Sequence, residues 1–262
     1  MGKVIITTSL KGGVGKTVFS ACLADTLSRR GFSVLAVDLD LGAGGLDIAL
    51  GRENDVTATM LDVLRGEVNP ERALTPGEDG ITFLAAPVFF NPASLEEVSQ
   101  ADFNRLLSTL KDSFDFVLFD MPAGGGAAFP FVERSRLADQ YVLVTTAAPT
   151  AVRAAERCAM RLAEPEKAKL LLNCFRLSRP DDNTFGIVEV IRRASVPILG
   201  VIPYDNGAEK ALAKGVPLSA DQKSPAGNAV GNVASRLLDE PVPLFDGIMR
   251  RNRRMSFYGS LS

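Results

Sequence analysis

Two kinds of hydrophobic pattern alternate along the chain. Short runs, largely apolar or β-branched, occupy Val4–Thr8, Ser33–Asp38, Ile81–Ala86, Phe116–Asp120, Tyr141–Thr146, Lys169–Asn173 and Pro197–Ile202. Continuous apolarity over so few residues marks strands covered on both faces, as in a parallel sheet. Between them lie longer stretches whose apolar residues recur every three or four positions. These predict helices over Lys16–Arg30, stopped by Gly31; Ala58–Arg65, closed by Gly66; Leu95–Phe114, with Phe103, Leu106, Leu107 and Leu110 on one face; 128–138; Thr150–Leu162; Thr184–Ala194; 207–214; and 224–238. Strands alternating with helices give an α/β fold: a mostly parallel, doubly wound sheet of about seven or eight strands with helices on both faces. At 262 residues one large domain is expected. No repeat or low-complexity linker interrupts it before about residue 240, which separates a domain over 1–240 from a tail over 241–262.

In such sheets ligands sit beyond the carboxyl ends of the strands. The first strand runs into Ser9-Leu10-Lys11-Gly12-Gly13-Val14-Gly15-Lys16-Thr17-Val18 and then a helix. Strand, glycine-rich loop and helix form the context of a phosphate-binding loop. Gly12, Gly13 and Gly15 let the backbone curl around an anion, and the helix starting near Lys16 adds its positive dipole end. Lys16 can reach the β- and γ-phosphates, and the Thr17 hydroxyl can hold Mg²⁺. Leu10 stands where the usual pattern has glycine, and Lys11 adds a second lysine.

Three further strand ends carry candidate chemistry. Asp38 and Asp40 follow the second strand at i and i+2, on one side of an extended segment, with a glycine-rich loop after them. Asp120 ends the fourth apolar run and is followed by Met121-Pro122-Ala123-Gly124-Gly125-Gly126. An apolar run closed by Asp fits a carboxylate that holds a Mg²⁺ shell through water. Asn173 ends the sixth run, and its amide offers a base edge both donor and acceptor. The seventh run ends in Val201-Ile202-Pro203-Tyr204-Asp205.

Lys11-Gly12-Gly13-Val14-Gly15-Lys16-Thr17 resembles the deviant Walker A motif of the MinD/ParA family of P-loop ATPases. The order of the remaining motifs to about residue 240 is similar to the MinD branch, the septum-site-determining and flagellar-number-regulator type. The resemblance implies a slow, partner-stimulated ATPase using ATP and Mg²⁺. Lys11, Lys16 and Asp40 would be catalytic, with Lys11 reaching across a homodimer interface and Asp40 placing the attacking water. Thr17, Asp38 and Asp120 would surround the metal. Gly12, Gly13, Val14, Gly15, Lys16, Thr17 and Val18 would hold the phosphates, while Asn173, Pro203 and Asp205 would border the adenine. The chain departs from the family at Leu10, at Val18 (where a hydroxyl commonly touches the α-phosphate) and at Gly45 (where Asn is common).

Composition narrows the field. The chain contains no histidine, which excludes histidine-based acid–base catalysis and histidine metal sites. Cys22, Cys158 and Cys174 form no pair, which excludes the related metal-cluster carriers and fits a reducing compartment. No leader pattern and no apolar run of roughly 18–20 residues is visible, so a cytoplasmic protein is expected. Net charge is −2, and Lys210, Lys214, Lys223 and Arg236 are offset by Glu209, Asp221, Asp239 and Glu240, so nucleic acid is not an expected partner. The tail differs: over 244–258 four arginines face one aspartate, and Phe245, Ile248, Met249 and Met255 share a helical face. That pattern suits an interfacial helix on an anionic membrane, peripheral at the inner face of the cell membrane. Packing on the body or binding a partner protein are the other readings of the tail. The implied function is an ATP-dependent dimerising switch that positions a division site or flagella, with an activating protein partner. Its rivals are a ParA-like ATPase acting on nucleoid DNA or protein cargo, and a nucleotide-binding scaffold with little hydrolysis.

Overall fold

The computed structural model describes residues 2–77, 79–91, 93, 98–124, 126, 129–176 and 184–244. The chain order is β1 (Lys3–Ser9), α1 (Lys16–Arg29), β2 (Val34–Asp38), α2 (Leu46–Leu50), α3 (Met60–Leu64), α4 (Pro70–Ala73), β3 (Leu74–Pro76), β4 (Ile81–Leu84), α5 (Gln100–Ser113), β5 (Phe116–Ala123), α6 (Phe129–Ser135), β6 (Gln140–Thr145), α7 (Pro149–Ala159), β7 (Ala168–Phe175), α8 (Ile187–Ala194), β8 (Ile198–Pro203), α9 (Ala208–Ala213) and α10 (Pro225–Leu237). One eight-stranded sheet runs β3-β4-β2-β5-β1-β6-β7-β8. Every pairing is parallel except β3 with β4.

The pattern of apolar runs has a direct physical outcome. Every residue of β2 and β6 is buried, because helices cover both sheet faces. One core joins the sheet to α3, α5, α7 and α8 through Leu61, Phe103, Leu107, Val152 and Val190. The other joins it to α1, α2 and α10 through Leu23, Leu27, Leu46, Val230 and Val233. The switch in strand order at β1 brings the ends of β1, β2 and β5 together on one edge of the sheet.

Several expected boundaries move. The helix expected over Leu95–Phe114 starts at Gln100, because Ser99 Oγ accepts the Asp102 N–H and caps it; residues 94–97 lie outside the described residues. The helix expected over Thr184–Ala194 begins only at Ile187, after Gly186 in extended conformation. Cys174, expected just beyond its strand, lies within β7 in a left-handed conformation (φ 52°). Three short elements are additional: α2, α4 and β3. At three to five residues they are too short to display a period. β3 is an antiparallel edge strand, where Pro76 removes no needed ladder bond. The tail sequence from Phe245 onward lies outside the described residues.

Candidate functional site

The loop after β1 is shaped by two glycines with positive φ, Gly13 (71°) and Gly15 (86°), and Gly15 is the N-cap of α1 without a side-chain cap. Among the described residues, no protein acceptor receives the N–H groups of Gly12, Gly13, Val14 or Gly15, while the Lys11 N–H goes to Ser9 Oγ at 3.1 Å. A row of free amides at a helix N-terminus is a fitting cradle for phosphate oxygens. Leu10 needs no glycine geometry, and its side chain packs against the core. Val18 is likewise half-buried against the opposite core. Lys11 is exposed, whereas Lys16 is buried.

Asp120 lies in register with Asp38 on the adjacent strand, and both residues are about 2 % exposed. Thr17 Oγ1 donates to Asp120 Oδ2 at 2.6 Å and Ser20 Oγ donates to Oδ1 at 2.8 Å. Asp38 instead organises the next loop, accepting the Asp40 N–H at 2.8 Å and the Leu46 N–H at 3.1 Å. The first of these bonds turns the chain, so Asp38 and Asp40 do not continue one extended segment as expected. Burial, with the neighbouring carboxylates, pushes Asp38 up to about 7 and Asp120 up to about 6, the latter against its two hydroxyl donors. Burial also lowers Lys16, although Asp120 and Asp40 pull it back, and burial raises Asp40 against the attraction of Lys16. Two buried carboxylates beside a hydroxyl form an oxygen donor set that fits Mg²⁺, an ion that keeps several of its waters.

The loop after Asp40 is held by its own backbone. Gly42 N–H donates to the Pro87 carbonyl, and the Ala43 and Gly44 N–H groups donate to the Asp40 carbonyl. Gly45 has φ 139°, which explains glycine there: a side chain is strained in that conformation. The end of β5 is tied to the phosphate loop by the Gly124 N–H, which donates to the Ser9 carbonyl at 3.1 Å.

Beside the loop lies a cavity of about 340 Å³ lined by Gly15, Val18, Asn173, Pro203, Tyr204 and Asp205, among others. Asn173 is buried and its Nδ2 donates to the Val14 carbonyl at 2.8 Å. A Cβ on Gly15 would collide with that amide, so glycine is required by close approach as well as by φ. The tie uses one of the two Asn173 N–H groups on the loop and leaves its oxygen to accept from a ligand. Asp205 lines the cavity but is occupied: it accepts from Ser224 Oγ at 2.7 Å, the Gly207 N–H at 2.8 Å and the Ala226 N–H at 3.4 Å. Burial opposes its charge, yet these donors hold its carboxyl below the usual range. Its direct work is therefore to join the end of β8 to the start of α10.

Sequence reasoning missed Ser20 and the pair Arg176–Tyr204, whose guanidinium stands 3.6 Å from the ring centroid. Ser20 was detectable, since i+3 from Thr17 is the same helix face.

A family model described as the CobQ/CobB/MinD/ParA nucleotide binding domain matches residues 5–218. The septum site-determining protein MinD of Bacillus subtilis is 34% identical over 251 residues, covering 93% of this chain and 92% of that protein. The solved MinC:MinD cell division protein complex of Aquifex aeolicus has a TM-score of 0.82 at 29% identity, covering 93% of this chain and 98% of the other. MinD from Pyrococcus horikoshii, solved with Mg-ADP, has a TM-score of 0.79 at 26% identity over 96% of this chain and all of the other.

Proposed function

The chain belongs to the CobQ/CobB/MinD/ParA nucleotide-binding family, on its MinD side, and on that premise we propose that it is a Mg²⁺-ATP-dependent switch in cell-division positioning, working as two subunits at a membrane surface. It is an ATPase of the MinD type. One observation carries the reading: Thr17, Asp38, Asp120 and buried Lys16 converge beside a row of free loop amides.

In the reaction a water attacks the γ-phosphorus while the bond to the bridging oxygen breaks; ADP departs with that bond's electron pair and the water's proton passes to a phosphate oxygen, giving inorganic phosphate. The amides of Gly12–Thr17 bind the phosphates, and Lys16 neutralises charge on the β- and γ-oxygens. Thr17 and Asp120 would hold Mg²⁺, which supplies charge neutralisation at the phosphate oxygens when bound. Asp38 orients the loop that carries Asp40, and Asp40 orients the water. Lys11, exposed in the single chain, reaches the phosphates held by a second copy. Asn173 accepts from the exocyclic amine of adenine, a group that guanine replaces at that edge by an acceptor.

A relative solved as a MinC:MinD complex supports a protein partner for this chain as well. No helix among the described residues is long and apolar enough to cross a membrane. Membrane contact therefore rests on the arginine-rich amphipathic tail, doubled on dimerisation so that two weak anchors act together.

Two measurements test this. With ATP, size exclusion of Lys11→Ala should give a monomer, and Asp40→Ala a dimer longer-lived than that of the unsubstituted chain; a dimer from Lys11→Ala overturns the cross-subunit role. Full-length protein should co-sediment with anionic liposomes only with ATP, and a chain ending at Glu240 should not. Equal behaviour of the two overturns the membrane reading.

A further inference from the structure

The residues between Pro203 and Asp205 and just after Asn173 carry no role so far. Tyr204 lines the same cavity as Gly15 and Val18, a space that adjoins the phosphate cradle. Two aromatic residues line that cavity. Phe19 is 2% exposed and belongs to the core, while Tyr204 is 41% exposed. The Tyr204 ring is braced by the Arg176 guanidinium, 3.6 Å from its centroid. The backbones beneath are joined too: the Tyr204 N–H donates to the Phe175 carbonyl at 2.9 Å, and Phe175 pairs with Pro203 across β7 and β8. A planar π-face, fixed at the rim of a base-sized cavity by a stacked cation, is built to receive another planar ring.

We infer that Tyr204, held in place by Arg176 as a positioning residue, is the stacking wall for the nucleobase. This rests on the nucleotide-binding reading above. Stacking and edge recognition then divide the work. Tyr204 supplies affinity for the base through its face, which every nucleobase possesses, and Asn173 supplies discrimination through its oxygen.

The division has a measurable signature. Tyr204→Ala should weaken binding of ADP and GDP by the same factor, roughly 5- to 150-fold, with their ratio unchanged. Tyr204→Phe, which keeps the face, should bind nearly as the unsubstituted chain does. Arg176→Ala should weaken both nucleotides in the same direction and by less. Inorganic tripolyphosphate, which has no base, should bind all four proteins equally in calorimetry. The chain has three tyrosines and no tryptophan, so ADP should also quench tyrosine emission, and this change should disappear in Tyr204→Phe. Unchanged ADP affinity in Tyr204→Ala overturns the wall, and so does an equal loss of tripolyphosphate binding, which would mean a structural role. Tripolyphosphate binding without any ADP or GDP binding by the unsubstituted chain would instead overturn the nucleotide reading itself.

Discussion

The two ends of the site are built on different plans. At the phosphate end most chemistry comes from one continuous segment, residues 9–20, with Asp38 and Asp120 delivered by the two strands nearest β1 in that direction. At the base end the contributors come from several parts of the fold: Asn173 from β7, Pro203 from β8, Tyr204 and Asp205 from the turn beyond it and Ser224 from the cap of α10. The first end is polar and crowded with charge, and its carboxylates are lifted by burial. At the second, the Asp205 carboxylate is instead kept below its usual range by donors. An end made of one segment keeps its geometry whenever that segment folds. An end made of four elements keeps it only while their packing holds. Substitutions at the phosphate end should therefore act on chemistry, and those at the base end on affinity and stability.

The largest expected effect follows from Lys16, buried beside Asp120 and Asp40. Lys16→Ala removes the cation that meets the charge developing on the γ-phosphate, and turnover should fall by at least roughly 100-fold in a phosphate-release assay. Thermal stability should change little, because burial already works against the lysine's charge. Retained turnover would break the distinction between the ends.

Asn173→Ala comes next, and it probes a side chain that joins the two ends. The substitution strips the Val14 carbonyl of its donor and removes the oxygen proposed to read the base. A lost buried hydrogen bond of this kind costs about 1–3 kcal/mol, so calorimetry should show ADP binding weakened roughly 5- to 150-fold. The preference for ADP over GDP should vanish with it, which Tyr204→Ala leaves intact. If Asn173→Ala weakens both nucleotides equally, the amide is a brace for the loop and not a reader of the base.

The same contrast explains what could be read from the chain alone. Gly13, Gly15, Lys16 and Thr17 stand within five positions of one another, so spacing reveals their joint purpose. Alternating apolar runs likewise give the doubly wound sheet and place Asp38 at the end of β2, whereas Asp120 and Asn173, expected to close their strands, lie within β5 and β7, which run on to Ala123 and Phe175. The Asp205–Ser224 bond spans 19 residues and the Asn173–Val14 bond spans 159, and no local pattern marks either. Asp205 shows the cost of this: its position suggests a group bordering the base, while its carboxylate is in fact engaged by three donors of the protein. Gly45 looked like a lost contact, and its φ of 139° makes it a backbone requirement. Short elements such as α2 and β3 escape because a period needs more residues than they contain.

The smallest expected effect sharpens the comparison from the other side. Ser224 is 3% exposed; it caps α10 by accepting the Gly227 N–H at 2.9 Å and donates to Asp205 at 2.7 Å. Ser224→Ala removes both bonds, and loss of an N-cap costs about 1 kcal/mol. For a chain of this size that lowers the melting temperature by roughly 2–4 °C, with turnover at saturating ATP unchanged. The pH dependence identifies the partner. Asp205 has a depressed pKa in the fold, so its contribution is complete above the ordinary value of 3.8 and is lost as pH falls through that value toward the folded one. Ser224→Ala removes one of the donors that depress it, so the stability gap between the variant and the unsubstituted chain should be widest at neutral pH and narrow below 3.8. A gap that stays constant with pH would assign the whole effect to the helix cap and leave Asp205 free to face the ligand.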